Sequence, residues 1–144
     1  MDSFDLDAFL PYQLAVLASR VSREFAALYG ARFDLSIAEW RVVAHLGQEE
    51  AVSVREIHER VDMDKSKVSR AASRLEAAGY VTKRISESDR RLVELTLTAT
   101  GRAMHSEIVE LARGFEAALE ERLGPEAAKF RTALSGLLEG ATKA

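Results

Sequence analysis

The sequence predicts a mainly helical protein with one small β-hairpin. Three observations support this class. Apolar residues recur at steps of three or four over most of the chain, two helix-start signals of the same kind follow one another, and apolar and polar residues alternate only between residues 81 and 97. The chain has 144 residues, of which 47% are hydrophobic, so residues 1–144 are expected to fold as one domain with a substantial core.

The first predicted helix occupies about residues 8–30. Its apolar residues lie three or four positions apart, which places them in one stripe along the helix. They are Leu14, Leu17, Val21, Phe25 and Leu28. A stripe of this kind must be buried against another surface.

Two capping boxes start the next two helices. In "LSIAEW", Ser36 stands at the N-cap and Glu39 three residues later, and in "VSVREI", Ser53 and Glu56 repeat the arrangement. The flanking pairs at hydrophobic-staple positions are Leu35 with Trp40 and Val52 with Ile57. The second of these helices is predicted over about residues 54–61.

The following helix carries a polar face made of hydroxyls and cations. Asp64 is its predicted N-cap and Gly79 its end. Its apolar seam consists of Val68, Ala71, Ala72, Leu75 and Ala78. The face turned away from the seam has no acid; it consists of Ser66, Lys67, Ser69, Arg70, Ser73 and Arg74, with Lys65 at its start. Such side chains suit phosphate oxygens and base edges.

Positive charge is concentrated in this part of an otherwise acidic chain. The formal net charge is −3, but Arg60 to Arg91 holds nine Lys/Arg against five Asp/Glu, a local charge of +4, while the rest of the chain carries −7. Segregation of this kind fits either a nucleic-acid surface or a solvated face, so the geometry has to decide between them.

Two antiparallel strands are predicted next. "YVTKRI" and "LVELTL" alternate apolar and polar residues, and "SESDRR" joins them. A loop of this length projects Asp89, Arg90 and Arg91 away from the body of the protein, either as a functional tip or as an ordinary charged loop.

Three helices followed by a hairpin form the winged helix-turn-helix arrangement, here predicted over about residues 35–98. In that arrangement the second helix of the motif enters the DNA major groove. Lys65 to Arg74 would then face the DNA. Arg90 and Arg91 would lie on the wing, where the planar, weakly hydrated arginine head suits a narrow minor groove.

The segment "VDMDKSKVSRAASRLEAAGYVTKR", followed by "DRRLVELTLTATGRAM", resembles the recognition helix, wing and following helix of the MarR (multiple antibiotic resistance regulator) family. The wing signature is present as Asp89, Arg91, Leu97, Thr98 and Gly101. The resemblance implies that Arg91 enters the minor groove and that Asp89 orients the wing tip by a charge-assisted hydrogen bond. "ATG" stands where the family often has a charged pair before the glycine.

The remaining helices are predicted over about residues 99–142, with a break at Gly124 and Pro125. Their apolar residues are Met104, Ile108, Leu111, Phe115, Ala118, Leu119, Leu123, Phe130, Leu134, Leu137 and Leu138. Long amphipathic helices at both ends predict dimerisation helices and a homodimer, the alternative being a monomer whose end helices fold back. A two-fold dimer would present two recognition helices roughly 34 Å apart to an inverted repeat.

The chemistry of an enzyme is not visible in the chain. There is no Gly-rich phosphate loop, nucleophile elbow or His-Glu metal motif, and His45, His58 and His105 are far apart. Asp62 with Asp64 is better explained as part of a helix-capping turn. No catalytic residue, metal or cofactor is therefore predicted. A helical protein-docking module without DNA binding is the alternative function.

The predicted location is cytoplasmic. The chain has no cysteine, which excludes disulfides, a catalytic thiol and a thiol-based peroxide sensor. Its first residues are acidic, and no run of about 18 apolar residues follows, so no membrane association is expected.

The family resemblance also implies a small effector, often an aromatic or phenolic anion, held between the dimerisation helices and the winged part. The residues that would wall this cleft are Tyr12, Arg20, Arg23, Tyr29, Trp40, Arg41 and His45. The alternative is that the aromatics belong to the core and the arginines are solvated. A compact dimer acts most simply as a repressor by occlusion, and an effector would release it by preferring another spacing of the two recognition helices.

Overall fold

The structure is a computed structural model that describes residues 3–61 and 63–143. The chain divides into two compact units, residues 1–109 and 110–144. The mainly helical class with a β-hairpin is confirmed. The elements are α1 (Leu10–Phe33), α2 (Ile37–Leu46), β1 (Val52–Ser53), α3 (Val54–Arg60), α4 (Lys65–Ala77), β2 (Val81–Ile85), β3 (Val93–Leu97), α5 (Ala99–Leu123) and α6 (Ala127–Lys143).

The sheet has one strand more than the sequence predicted. β2 and β3 form the expected antiparallel hairpin, in which Val81 lies opposite Leu97 and Ile85 opposite Val93. β1 adds a short third strand on the other side of β3, so the order is β1-β3-β2. A strand of two residues is too short to show an alternating pattern, which is why the sequence did not reveal it.

The core of the first unit lies between the helices of the helix-turn-helix and the base of the hairpin. α4 supplies most of the predicted seam: Val68, Ala71, Ala72 and Leu75 are buried, whereas Ala78, the C-cap residue, is exposed. Buried side chains of the other elements in this unit include Val42, Val43, Leu46, Ile57, Val81, Leu95, Met104 and Ile108. The polar face of α4 therefore points outward.

The predicted helix starts are present with one difference. At α2, the Ser36 hydroxyl accepts a hydrogen bond from the Glu39 amide at 3.1 Å, and the Glu39 carboxylate accepts one from the Ser36 amide at 3.3 Å. At α3, the Ser53 hydroxyl accepts from the Glu56 amide at 3.0 Å. The Glu56 carboxylate accepts a hydrogen bond from the Ser53 hydroxyl at 3.4 Å, whereas in a full capping box it would accept one from the Ser53 amide.

α4 ends in a Schellman motif. The Gly79 amide donates to the Glu76 carbonyl and the Tyr80 amide to the Leu75 carbonyl, both at 3.0 Å. Gly79 has a φ of 86°, a conformation that glycine adopts without strain. The predicted end of this helix is confirmed.

The start of α5 is tied to the end of α4. The Thr98 amide donates to the Tyr80 carbonyl at 3.0 Å and the Thr98 hydroxyl to the Gly79 carbonyl at 2.7 Å. The same hydroxyl accepts from the Gly101 amide at 3.0 Å, which caps the helix. A Cβ atom at Gly101 would lie 2.0 Å from the Tyr80 oxygen, so only glycine fits this contact.

α1 is longer than predicted. It continues past Gly30 to Phe33 and ends at Asp34, whose φ of 54° is left-handed and whose amide donates to the Gly30 carbonyl at 2.9 Å. Large apolar residues remain exposed along its first half; they are Leu10, Leu14 and Leu17.

The second unit contains the end of α5 and all of α6. A short 3-10 turn, Gly124–Glu126, precedes α6, which therefore begins two residues after Pro125. Arg131 of α6 donates to the carboxylates of Glu116 and Glu120 on α5. The exposed apolar residues of α6 are Phe130, Leu134, Leu137 and Leu138. Within residues 3–61 and 63–143, no helix is both long and apolar enough to cross a bilayer.

Candidate nucleic-acid interface

The predicted recognition helix presents its polar residues to solvent. Every residue of the set is exposed, namely Lys65, Ser66, Lys67, Ser69, Arg70, Ser73 and Arg74. The geometry therefore keeps these side chains out of the protein interior. An exposed row of hydroxyls and cations on a helix of 13 residues is long enough to lie along a major groove.

The N-terminus of α4 is fixed by Asp64. Its carboxylate accepts hydrogen bonds from the Lys67 amide at 2.9 Å and the Ser66 hydroxyl at 2.8 Å. These two hydrogen bonds, that of the Lys67 amide first, lower the pKa of the Asp64 carboxyl. The cap thus also orients Ser66, one of the predicted DNA-contacting residues.

The wing tip is organised around an ion pair. The Asp89 carboxylate accepts from the Arg91 Nε at 3.1 Å and from its Nη2 at 3.2 Å, and it also accepts from the Arg91 amide at 3.1 Å. The hydrogen bonds from the Arg91 side chain and amide lower the pKa of Asp89. The hydrogen bond that the family resemblance implies is therefore present, and it still leaves the Arg91 side chain 82% exposed.

The loop behind this ion pair is closed by a buried serine. Ser86 is only 2% exposed, and its hydroxyl accepts from the Asp89 amide at 3.3 Å and lies 3.1 Å from the Ser88 hydroxyl. The Leu92 amide donates to the Asp89 carbonyl at 3.0 Å. Arg90, at the same tip, is exposed.

A cleft of about 230 Å³ lies between α4 and the hairpin. Its polar lining consists of Arg55, Lys65, Ser69, Ser73, Lys83 and Arg91. The Lys83 Nζ donates to the Ser73 hydroxyl at 2.8 Å and lies 3.9 Å from a Glu76 carboxylate oxygen. The cleft joins the helix face and the wing into one cationic surface.

Arg55 and Lys83 are residues of this surface that sequence reasoning did not assign. Lys83 lies in register with Leu95 on the hairpin, and Arg55 comes from the first turn of α3. The strand alternation indicates that Lys83 shares a side with Val81 and Ile85. Only the tertiary structure shows that Lys83, on this side of the strand, points toward α4.

The polar face of α4 has an acidic neighbour that the sequence did not indicate. The Arg74 Nε donates to the Glu39 carboxylate at 2.8 Å, and Glu39 belongs to α2. Glu39 is only 8% exposed, whereas the Arg74 side chain is 54% exposed. The prediction of a face without acids holds for α4 itself but not for the surface around it.

The candidate effector residues do not come together in one site. Tyr29 is 1% exposed and packs against Phe25 and Trp40, with ring centroids 5.1 and 5.7 Å apart. Trp40 in turn stacks on His105 at 6.4 Å. Burial raises the pKa of the Tyr29 hydroxyl to about 12. Tyr29 therefore lies in the core, and the half-buried Trp40 packs against it.

Of the other candidates, three lie on exposed helix surfaces and two, Arg41 and His45, are half-buried. Tyr12 and Arg20 line a shallow hollow of about 290 Å³ on α1, together with Asp7. Arg23 is exposed and Arg41 is half-buried. His45 uses its Nδ1 for a 2.8 Å hydrogen bond to the Arg41 carbonyl, as helix-internal histidines often do.

No metal site is visible in the part of the chain that the structure describes. Residues 3–61 and 63–143 contain no cluster of three or more His, Cys, Asp or Glu side chains arranged to hold an ion. Asp62, considered above with Asp64, lies outside the described residues.

Comparisons with known proteins agree with this geometry. The sequence profile of the MarR family matches residues 33–92, which span the helix-turn-helix, β2 and the wing loop but not β3. The HTH-type transcriptional regulator TtmR of Methylorubrum extorquens is 31% identical over 103 residues, which are 72% of this chain and 52% of that protein. The chain thus spans about half the length of that relative.

Two solved structures resemble the whole chain. A MarR family transcriptional regulator from Silicibacter pomeroyi has a TM-score of 0.81 and 29% identity, covering 97% of this chain and 99% of that one. BpsR of Bordetella bronchiseptica, whose DNA binding is regulated by 6-hydroxynicotinic acid, has the same TM-score at 24% identity, covering 99% of both chains. Proteins of this family regulate transcription and are not enzymes. In the sequence of its helix-turn-helix and in its fold, this chain is therefore similar to the MarR family of transcriptional regulators.

Proposed function

We propose that this protein is a homodimeric repressor that binds a pseudo-palindromic operator through α4 and the wing. The observation that carries the proposal is the continuous cationic surface that runs from α4 through the cleft to Arg91. In a winged helix-turn-helix, this is the surface that meets a DNA duplex. Its exposed guanidinium and ammonium groups suit phosphate oxygens, and the hydroxyls between them suit base edges.

Each part of the surface has its own role in this proposal. The side chains of α4 lie in the major groove, where Lys67 and Arg70 contact base edges or phosphates. Arg91, held by Asp89, enters the adjacent minor groove, and Arg90 lies beside it on the wing. Arg55 and Lys83 contact the phosphate backbone between the two grooves, because they line the cleft that separates helix and wing.

Dimerisation is supported by the apolar surface at both ends of the chain. On α1, Leu10 is 57% exposed and Leu17 45%, and on α6, Leu137 is 54% exposed and Leu138 61%. Exposed apolar stripes on long helices are stable in water when a second copy covers them. A two-fold dimer then presents two α4 helices about one DNA turn apart.

Control by a small aromatic or phenolic anion is part of the proposal. BpsR, a protein of the same fold, responds to such a molecule. In this chain Tyr12 and Arg20 offer an open aromatic ring and a guanidinium on one face of α1, which suits a carboxylate with an aromatic body. The chain has no cysteine, which excludes a thiol switch within it. The proposed location is the cytoplasm.

The proposal is tested with DNA selected from genomic fragments by the unmodified protein. Arg91→Ala should weaken binding to that duplex without changing the dimer mass in sedimentation. Arg113→Ala is the matched control, because this arginine is 71% exposed and pairs with Glu110 on α5. Unchanged affinity of Arg91→Ala at physiological salt would refute the wing assignment.

The α4 residues are tested in the same assay. Arg70→Ala and Lys67→Ala should each lower affinity by about 1–3 kcal/mol if they touch base edges, and the loss should be confined to the selected duplex. A loss that is equal on unrelated duplexes assigns them to phosphates and should reduce the salt slope by about 1. A protein-docking module would show no salt-dependent DNA binding at all.

A further inference from the structure

We propose that Glu39, a buried residue of α2, is a positioning residue for DNA binding: its carboxylate anchors Arg74 and thereby holds the recognition helix in its reading position. This inference rests on the proposed function, since it assumes that α4 reads DNA. The starting observation is the contact between Glu39 of α2 and Arg74 of α4, two residues that are 35 positions apart in the chain.

The Glu39 carboxylate makes two bonds with different consequences. One oxygen accepts from the Ser36 amide at 3.3 Å and so completes the capping box that starts α2. The other accepts from the Arg74 Nε at 2.8 Å and so reaches α4. One side chain thus connects the first turn of α2 with the recognition helix. Because the cap also holds this carboxylate, a movement of α4 away from α2 would break either the bond to Arg74 or the cap.

The two partners are unequally exposed. The Glu39 side chain is 10% exposed and the Arg74 side chain 54%. An exposed ion pair contributes little because both ions remain solvated. The Glu39 carboxylate is largely desolvated here, so it depends on the bond from Arg74 to offset the cost of burying its charge. That dependence gives α4 one preferred position relative to α2.

Arg74 lies on the stripe that carries the predicted base contacts. Lys67, Arg70 and Arg74 follow at steps of three and four, which places them on one side of α4. Asp64 fixes the N-terminal end of the helix, and Glu39 fixes the C-terminal half through Arg74. The reading face between the two anchors is therefore held from both ends by carboxylates.

The direction in which Glu39→Gln changes DNA affinity distinguishes a positioning role from a purely electrostatic one. A carboxylate beside a DNA-binding face repels phosphates, so if charge alone mattered, Glu39→Gln would raise DNA affinity. If Glu39 acts by positioning, the same change lowers it. Glutamine is also accepted at this place in a capping box, so the start of α2 is kept.

The experiment measures binding of Glu39→Gln to the duplex selected by the unmodified protein and to an unrelated duplex of equal length. Affinity for the selected duplex should fall about ten-fold, while affinity for the unrelated duplex stays equal or rises. Glu56→Gln is the matched control. Glu56 stands at the same position of a capped helix and pairs with an arginine, Arg60, but that pair stays within α3.

Arg74→Gln and the double variant complete a thermodynamic cycle. In the Arg74→Gln background, Glu39→Gln should change affinity by less than about two-fold, because the anchor is already broken. Thermal unfolding checks that each variant is folded at the temperature of the binding assay. An undiminished or increased affinity of Glu39→Gln, or a loss that persists in full without Arg74, would overturn the inference.

The proposed function and the inference can fail separately. If Arg70→Ala binds the selected duplex as the unmodified protein does, α4 is not the reading element and the proposed function is wrong. If Arg70→Ala binds weakly but Glu39→Gln does not, α4 reads DNA and only the positioning role is refuted.

Discussion

Gly101→Ala should destabilise the protein because it forces apart the end of α4 and the start of α5. An alanine Cβ would lie 2.0 Å from the Tyr80 oxygen, and that separation has to open to about 3.4 Å before it becomes an ordinary contact. The Tyr80 oxygen belongs to the backbone, so it cannot be displaced by a side-chain rotation. α5 has to move instead.

That movement breaks the bonds that Thr98 makes. They are its amide bond to the Tyr80 carbonyl, its hydroxyl bond to the Gly79 carbonyl, and the cap it gives the Gly101 amide. Three hydrogen bonds contribute about 3 kcal/mol together, and the better helix propensity of alanine returns about 1 kcal/mol. The expected loss is about 2 kcal/mol, or a melting temperature lower by roughly 4–8 °C.

The assay is thermal unfolding at one fixed protein concentration, because association shifts the melting temperature. Gly114→Ala is the control in the same helix, since a Cβ there meets nothing within 4 Å. It should be neutral or stabilising by up to about 1 kcal/mol. A Gly101→Ala protein that melts at or above the temperature of Gly114→Ala would refute the reasoning.

Three further predictions concern residues of the first compact unit. Leu75→Ala removes a side chain that is 1% exposed on the seam of α4, and it should cost about 2–5 kcal/mol in chemical denaturation. Burial lowers the pKa of His105, which stacks on Trp40, so the contribution of this histidine to stability is complete above the ordinary histidine pKa and declines as the pH falls below it. His105→Gln should therefore flatten the fall in melting temperature between pH 7.5 and 5.5. An unchanged slope would contradict this prediction. Asp64→Asn should lower the melting temperature at neutral pH. The difference from the unmodified protein should vanish as the pH falls through the depressed pKa of Asp64, because the carboxylate of the cap loses its charge there. A difference in melting temperature that stays constant down to pH 2 would contradict this prediction.

Features that depend on neighbours within a few residues could be predicted from the sequence. The caps at Ser36 and Asp64 follow from a hydroxyl or carboxylate that reaches an amide three positions later. The end of α4 at Gly79 follows from the conformation that glycine permits. The first helix was predicted to end near residue 30, whereas α1 continues to Phe33 and stops at the left-handed Asp34.

Features that join distant segments could not be predicted in this way. The Glu39–Arg74 bond depends on how α2 packs against α4, and no local pattern reports that packing. Arg55 and Lys83 were missed for the same reason, since their cleft is lined by three separate segments. The effector residues were grouped by family resemblance, and the structure separates Tyr29, which lies in the core, from Tyr12 on the surface of α1.

The bonds that join Thr98 to the end of α4 also determine where motion is possible. The base of the hairpin is fixed to both flanking helices through Gly79, Tyr80 and Thr98, so it cannot swing as a hinged arm. At the far end, Ile85 is 62% exposed and Val93 38%, and little packing restrains them. In amide hydrogen exchange we expect the base to exchange slowly and Glu87, Ser88 and Arg90 quickly. The wing would then search a DNA groove with its tip alone, while its base keeps the angle between helix and hairpin constant.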